Sequence, residues 1–252
     1  MTRQPKLGAA QRRCFPCYPD GILSTSKGKR GRELSDQSSQ NRIANGEMSA
    51  SGCALCVAVA DATGNGRPFL HNRKLMETES FIVLPSVGPL VPGHVMVVSK
   101  FHWHSLASMG PLAIREYESL AARLRAAPIL RAADPLEAEH GSTGEDKAGA
   151  CVIHTHVHWV PGMGQFWNEF KQRLSLRRER DLLEVANNGG PYVFVRAGAM
   201  QAIYEGQGLR SQTIRGILCD VLGREDTDWM QALRADWVEE TVKAWQREEE
   251  KL

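Results

Sequence analysis

Three histidines lie close together in the segment from 154 to 158, which reads HTHVH. Side chains alternate between the two faces of a β-strand, so this spacing puts His154, His156 and His158 on one face. The residues between them, followed by Trp159, then face the protein interior. Imidazole is a poor filler of a core because both ring nitrogens need partners. We therefore interpret the three rings as a functional site rather than as packing.

Two kinds of chemistry use a face of imidazoles. Metal cages of the His-x-His-x-Asp-His or cupin kind need a carboxylate close to the paired histidines, and residues 159–164 (WVPGMG) contain none. The other chemistry is nucleophilic catalysis. A neutral imidazole nitrogen attacks phosphorus and forms a phosphoramidate, while neighbouring donors hold the negative oxygens. The segment favours phosphoryl chemistry of this second kind.

A pair of cysteines with a two-residue gap, Cys53 and Cys56, can place two thiolates on one metal ion. A closed tetrahedral zinc site needs two more ligands, and His102, His104 and His154 are the candidates. Burial in the core and redox use are the alternatives for this pair. A second pair, at positions 14 and 17, lies in a basic segment without a strand pattern, so a zinc ribbon made of both pairs is not favoured.

The pattern of apolar residues predicts an α+β protein with an antiparallel sheet and few, long helices. The predicted strands are 81–84, 94–98, 151–160, 192–196 and 200–205. The predicted helices are 111–127, 211–222 with Ser211 as its cap, and 229–249. Residues 139–150 are rich in glycine and polar residues, which predicts a loop.

Composition limits the class of protein. The 252 residues are 42% hydrophobic and 24% charged, and no run of eighteen apolar residues predicts a membrane span. A net charge of +2 gives no basis for binding nucleic acid through bulk charge, and six cysteines are too few for a disulfide scaffold. The sequence shows no sorting signal, so we expect a cytoplasmic protein without a membrane partner.

Charge divides the chain into segments. Residues 1–47 hold nine Lys and Arg against four Asp and Glu, with few aliphatic residues. Such a segment cannot bury enough apolar surface to offset the entropy lost on ordering. We therefore predict a disordered basic tail over 1–47 and a catalytic domain over 48–165. A C-terminal extension of two short strands and two helices is predicted over 166–252.

From about Cys53 to Pro161, the sequence resembles the histidine triad (HIT) superfamily of nucleotide hydrolases and transferases. Four motifs carry the resemblance, in the order in which that family has them: CALC at 53–56, GHVMVVSKFH at 93–102, KAG at 147–149 and HTHVHWVP at 154–161. The resemblance implies a HIT-like fold, an antiparallel sheet with one long helix.

The resemblance also implies roles for single residues. His156 would be the nucleophile that attacks the α-phosphorus of a nucleotide and forms a nucleotidyl-histidine, with His154 and His158 completing the catalytic set. The residues implied at the phosphate are His94, His140, Gly149 and Cys151. The ligands of a structural zinc ion, as in the zinc-containing members, would be Cys53, Cys56, His102 and His154. The implied partner is a nucleotide or nucleotidyl-conjugate substrate, and a homodimer is a further expectation.

Several positions depart from the family pattern. Cys151 stands where the family usually has Ser, and His140 stands in the place of an Asn, either as a phosphate donor or as a turn cap. The acidic residue that often binds ribose would lie near Ser86 or Val87, where this sequence has no carboxylate. These departures support an alternative function, a catalytically inactive HIT-like nucleotide-binding or scaffold module.

The sequence after residue 165 lies outside the core of the resemblance. Residues 212–229 loosely resemble the C-terminal extension of some eukaryotic splicing-associated HIT-like proteins, and we interpret them as part of an amphipathic helix pair that covers the sheet. Arg210 and Arg215 could still reach a phosphate chain, because a guanidinium suits bidentate contacts to oxygen.

Overall fold

The computed structural model describes residues 52–131, 134–144 and 152–249, and the predicted tail over 1–47 lies outside them. The described strands are β1 (Met76–Glu77), β2 (Phe81–Pro85), β3 (Val95–Ser99), β4 (Leu136–Ser142), β5 (His156–Val160), β6 (Pro191–Ala197) and β7 (Met200–Glu205). They form one sheet in the order β1-β2-β3-β5-β4-β6-β7, in which every pairing is antiparallel. The predicted α+β class with an antiparallel sheet is confirmed.

Helices cover both faces of this sheet. They are α1 (Ala54–Thr63), α2 (Pro111–Ala126), α3 (Pro128–Arg131), α4 (Trp167–Arg173), α5 (Leu182–Asn188), α6 (Thr213–Val221) and α7 (Ala235–Glu249), with short 3₁₀ helices at Leu70–Asn72, Leu106–Met109 and Gly164–Phe166. No described helix combines the length and the apolar character that crossing a bilayer would require.

One face of the sheet, called face A here, carries a continuous apolar core. The residues of β5 that point to it are Val157 and Trp159, both fully buried. Helix α2 covers this face with one side, which includes Tyr117 and Leu120, and α5 and α7 add further apolar residues. The alternation has its expected effect from His156 to Trp159, where Val157 and Trp159 pack into the core. The predicted strand 151–160 is shorter in the structure, because β5 begins at His156 and His154 lies before it.

The opposite face, face B, carries two separate apolar clusters. Helix α1 packs on the residues of β2 and β3 that point this way, while α4 and α6 cover the corresponding residues of β4, β5 and β6. Val98 of β3 belongs to the first cluster and Val160 of β5 belongs to the second. His156 pairs with Val98 and His158 with Met96 across the β3–β5 ladder, so both imidazoles lie on face B between the clusters.

Strand β4 corrects the predicted loop over 139–150, because the strand runs through Ser142. Its two glutamates point to face A. The strand was not predicted because a pattern of apolar residues does not include buried carboxylates. Glu137 accepts hydrogen bonds from Tyr117 (2.9 Å), Arg125 (2.6 and 3.0 Å) and Arg196 (2.5 and 2.9 Å), and Glu139 accepts from Tyr192 and from the backbone N–H of Leu106. Buried carboxylates are tolerated where such partners satisfy them.

The C-terminal residues join the same sheet, since β6 pairs with β4 over seven residues. The predicted strands there are confirmed, but the helices differ from prediction. Helix α6 begins at Thr213 after a left-handed Gln212 (φ 64°), so Ser211 is not its cap, and α7 begins at Ala235 rather than near 229. The region also contains α4 and α5, which were not predicted. The division of the chain at 165 stays a prediction.

Replacing Glu137 with Ala is expected to lower the free energy of unfolding by about 3–5 kcal/mol, because it leaves Arg196 buried without a main partner. Glu118 binds the same guanidinium at 2.7 Å, but its side chain is 44% exposed. Glu118→Ala should therefore cost no more than about 1 kcal/mol. Urea unfolding of both variants measures the difference, and equal losses would contradict the assigned role of the buried carboxylate.

Candidate functional site

Four potential metal ligands converge at one end of the β3–β5 pair. Cys53 lies just before α1, Cys56 lies in its first turn, His102 follows β3, and His154 precedes β5. Their four ligand atoms all lie within 4.8 Å of one another. These residues, called the Cys/His cluster here, are the four that the resemblance implies. His104, the other candidate ligand, does not join them, and its Nδ1 lies 3.0 Å from the carbonyl oxygen of Gly144.

The distances in the Cys/His cluster suit a tetrahedral ion. Sγ of Cys56 lies 3.2 Å from Nδ1 of His102 and 3.3 Å from Nδ1 of His154, and Sγ of Cys53 lies 3.4 Å from Nδ1 of His154. Metal–ligand bonds of about 2.0–2.3 Å at tetrahedral angles separate the ligand atoms by about 3.3–3.8 Å. The four residues can therefore hold a metal ion.

The protonation states in the cluster also fit a cation. Nε2 of His154 lies 2.9 Å from the carbonyl oxygen of Ser99, so this nitrogen carries the proton and Nδ1 directs a lone pair at the two thiols. Burial, and then the neighbouring Cys53, raise the pKa of the Cys56 thiol to about 12. Without a cation, then, the cluster disfavours thiolate, and a bound metal ion would supply the missing positive charge.

A second group of imidazoles lies further along the same strand pair. His94, the residue before β3, is 2% exposed, and its Nε2 lies 3.1 Å from Nδ1 of His158. The backbone N–H of Leu90 donates to Nδ1 of His94 at 3.1 Å. His94 must therefore carry its proton on Nε2 and donate it to His158. As a neutral ring, His158 then carries its own proton on Nε2, as a donor.

His156 has the opposite orientation. Its Nδ1 lies 2.7 Å from the carbonyl oxygen of His154, which can only accept, so Nδ1 carries the proton. The lone pair of His156 is then on Nε2. The rings of His156 and His158 are 5.2 Å apart at their centroids and nearly perpendicular, at 81°. A lone pair and an N–H donor are thus presented side by side on face B.

Burial keeps this second group neutral. Desolvation and, to a smaller extent, the charge of Arg215 together lower the pKa of His94 to about 3. Desolvation also lowers the pKa of His158, followed by the charges of His156, His94 and Arg215. The pKa of His156 is likewise lowered by desolvation, against which its hydrogen bond to the His154 carbonyl acts. Neutral imidazole is the form that a nucleophile needs.

The other residues implied at the phosphate are placed as follows. His140 is half-buried in β4, two residues beyond Ala138, which pairs with His158. His140 therefore lies on face B with the histidines, within a strand rather than at a turn. Gly149 and Cys151 lie outside the described residues. Ser86, at the end of β2, is buried, and its backbone N–H donates to the carbonyl oxygen of His94 at 3.0 Å.

Sequence reasoning missed the supports of His94. Its tautomer depends on a backbone N–H, that of Leu90, which no side-chain pattern encodes. Arg215 does not reach out to solvent as a phosphate contact would, but donates to the carbonyl oxygen of Gly88 at 2.7 Å. Arg224, which donates to the carbonyl oxygen of Leu90 at 2.5 Å, was not singled out at all. The one available signal was the position of Arg215 on an otherwise apolar side of a predicted helix.

Comparison with known proteins gives structural matches only. No family model and no curated protein match the chain. Among solved structures, it is similar to a Zn-bound histidine triad family protein from Mycobacterium smegmatis, at 22% identity over 55% of this chain and 91% of that chain, with a TM-score of 0.34. It is also similar to a hypothetical histidine triad nucleotide-binding protein from Sulfolobus tokodaii, at 23% identity over 43% and 68%, with a TM-score of 0.33.

A third similar structure is a Hit-like protein involved in cell-cycle regulation from Bartonella henselae, at 18% identity over 44% of this chain and 80% of that chain, with a TM-score of 0.34. The names of these three proteins refer to the histidine triad or Hit-like family.

Stability should fall as the pH drops below about 6.5. His94 has a lowered pKa in the folded state, so the unfolded state binds protons more readily, at a cost of up to about 1.4 kcal/mol per pH unit for each such histidine until the folded pKa is reached. The variant His94→Gln should show a shallower decline between pH 6.5 and 5 than the wild type. Urea unfolding at several pH values measures both slopes, and parallel profiles would be inconsistent with a neutral buried His94.

Proposed function

We propose that this protein is a nucleotide phosphohydrolase or nucleotidyltransferase that acts at an α-phosphate through a nucleotidyl-histidine intermediate on His156. The observation that carries the proposal is the fixed pair of opposite roles on face B. The hydrogen bond from Nδ1 of His156 to the His154 carbonyl leaves Nε2 as a nucleophile. The hydrogen bond from His94 leaves Nε2–H of His158 as a donor beside it.

The first step forms one bond and breaks one. The lone pair on Nε2 of His156 attacks the α-phosphorus, an N–P bond forms, and the bond from phosphorus to the leaving group breaks with its electron pair on the leaving group. The carbonyl of His154 holds the Nδ1 proton of His156 and so stabilises the positive charge that develops on the ring. In the second step, water or another acceptor attacks the same phosphorus, and the N–P bond breaks with its electron pair returning to Nε2 of His156. The proton that the acceptor loses balances the one that the leaving group of the first step takes up.

The neighbouring ring stabilises the phosphoryl oxygens. Negative charge on these oxygens rises during attack, and the Nε2–H of His158 is a donor already oriented by His94. His140 on the same face is a further candidate donor, as are Gly149 and Cys151, which the resemblance implies.

We further propose that the metal of the Cys/His cluster is zinc, because two thiols and two imidazoles are the donor set that zinc prefers. Four protein ligands leave no open position, so zinc would supply structural stability only. Its ligands come from α1, from the segment after β3 and from the segment before β5. Cys53, Cys56 and His102 would thereby fix His154, whose carbonyl oxygen orients the nucleophile.

The alternative, a HIT-like nucleotide-binding or scaffold module without catalysis, is favoured by one observation. After the end of β2, where the family often has an acidic residue that binds ribose, this chain has Ser86. The backbone N–H of Ser86 already donates to the carbonyl oxygen of His94. Nucleotide binding would then rest on the phosphate group alone. A cytoplasmic location and a homodimer stay predictions.

Replacing His156 with Ala is expected to lower turnover by at least about a thousandfold, because the variant lacks the attacking nitrogen. The probes are an adenosine 5′-phosphoramidate, a dinucleoside polyphosphate and a nucleotidyl sugar, each followed by release of the nucleoside monophosphate. His71→Ala is the matched control, since His71 stacks on Phe69 in the short 3₁₀ helix. Equal rates in the two variants would rule out His156 as the nucleophile.

Mass spectrometry of the wild-type protein, denatured at alkaline pH because N–P bonds to histidine hydrolyse in acid, separates the two candidate functions. An enzyme of the proposed kind gives a nucleotidyl adduct on His156 during turnover. Binding of the probes without any adduct or product would instead indicate the scaffold module.

The purified protein is expected to contain about one equivalent of zinc, and cobalt substitution should give the visible spectrum of a tetrahedral site with thiolate ligands. His102→Ala should weaken zinc binding by more than about tenfold, because even partners outside the ligand set are worth about 10–100-fold. His104→Ala is the control, since His104 lies outside the Cys/His cluster. Equal zinc affinities in the two variants would contradict the proposed ligand set.

A further inference from the structure

The turn between β2 and β3 is held by the C-terminal part of the chain. This turn, residues 86–94, carries Leu90 and ends at His94. Arg215 donates to the carbonyl oxygen of Gly88 (2.7 Å) and Arg224 donates to that of Leu90 (2.5 Å). The backbone N–H of Gly93 donates to Oγ1 of Thr241 at 2.9 Å. Three hydrogen bonds thus attach a turn of nine residues to segments that lie more than 120 residues later.

The backbone of Gly88 also packs closely against Trp229, in the loop between α6 and α7. A β-carbon placed on this residue would lie 2.8 Å from the backbone oxygen of Trp229 and 3.0 Å from its Cβ. Only glycine permits this approach without a shift of one backbone. The loop between α6 and α7 therefore fits against the turn as a surface of fixed shape.

The two arginines are themselves held in place. Arg215 is 8% exposed, and its Nε donates to the carbonyl oxygen of Asp226 at 3.1 Å. Arg224 forms a two-point ion pair with the carboxylate of Asp226. Asp226 thus fixes both guanidinium groups while each of them also reaches one carbonyl of the turn. A buried guanidinium that donates to a main-chain carbonyl positions that segment of backbone.

The carbonyls that they hold flank the donor on which His94 depends. Leu90 presents its oxygen to Arg224 and its N–H to Nδ1 of His94. A displaced turn would remove that N–H, and the His94–His158 pair could then exchange its tautomers, with Nδ1 protonated on His94 and the donor lost from His158.

We propose that Arg215 and Arg224 are positioning residues, which hold the turn 86–94 so that Leu90 sets the tautomer of His94 and, through it, the donor on His158. The inference deepens the proposed function and rests on it for the role of His158. Neither arginine touches the reacting atoms. Both act through the backbone of the turn, so the C-terminal part of the chain completes the site that β3 and β5 carry.

The test uses Arg215→Lys and Arg224→Lys in the full chain. Lysine keeps the charge but has one nitrogen, so it cannot hold two acceptors in the geometry of the guanidinium. Arg173→Lys is the matched control, because Arg173 lies in the same part of the chain and pairs with Glu169 and Asp220. The ¹⁵N shifts of histidine-labelled protein report which nitrogen of His94 and His158 is protonated, and they do not depend on activity.

Both test variants should shift the His94 and His158 signals towards mixed tautomers, while Arg173→Lys keeps the wild-type signals. On the phosphoramidate probe, kcat should fall about tenfold to a hundredfold, with a smaller change in KM, because the misplaced donor acts in the transition state. A folded Arg224→Lys variant with wild-type tautomer signals overturns the inference, even where Arg215→Lys does not fold. A variant that loses stability but keeps the wild-type tautomer signals also overturns the inference.

Failure of the proposed function is a separate outcome. If the wild type turns over none of the probes and forms no adduct, the assignment of His156 is wrong. The tautomer measurement still decides whether the two arginines position the imidazole pair.

Discussion

The site depends on one pairing, the antiparallel ladder between β3 and β5. In this register Val98 lies opposite His156 and Met96 lies opposite His158. His94 at one end of β3 then meets His158, and His102 beyond the other end meets the segment that carries His154. A slip of one residue would turn every side chain of β5 to the other face. The fully buried Val157 and Trp159 on face A oppose such a slip, so the hydrophobic core sets the position of the histidines.

The same sheet accommodates polar groups on both faces, in different ways. On face A the carboxylates of Glu137 and Glu139 are fully enclosed and matched by guanidinium and phenol groups. On face B the imidazoles are neutral and matched by one another and by the backbone. The charged groups on face A find their partners within the core, and these contacts stabilise the folded state. The neutral group on face B leaves Nε2 of His156 and Nε2 of His158 for the proposed chemistry.

Local pattern was sufficient to predict the elements that build the site from their own residues. The alternation of 156–159 and the apolar segment 94–98 each act within one strand. The spacing of Cys53 and Cys56 identified a pair of possible ligands, although helix α1, which carries Cys56, was not predicted. Strand β4 could not be predicted in this way, because its buried residues include glutamates whose partners, Arg125 and Arg196, come from other elements. The left-handed Gln212 likewise depends on distant residues, because its side chain binds the carboxylate of Asp228 and the backbone N–H of Trp229.

The contacts that hold the turn before His94 could not be predicted from the sequence, for a further reason. Arg215 and Arg224 bind main-chain oxygens, and any residue at positions 88 and 90 would offer the same acceptors. A pattern of side chains can identify donors and acceptors only where the side chains themselves pair. The information that joins these arginines to the histidines lies in the path of the backbone, which the sequence does not show directly.

His154 connects the two halves of the site because it uses three polar groups in three directions. Its Nδ1 faces the thiols, its Nε2–H binds the carbonyl of Ser99, and its own carbonyl oxygen accepts from His156. A metal on the ring would therefore restrain the backbone that orients the proposed nucleophile. Substituting His154 removes a ligand and the hydrogen bond to Ser99 together, whereas substituting His102 removes a ligand and keeps that hydrogen bond. The difference between those two effects is the part of the nucleophile's orientation that the hydrogen bond to Ser99 supplies.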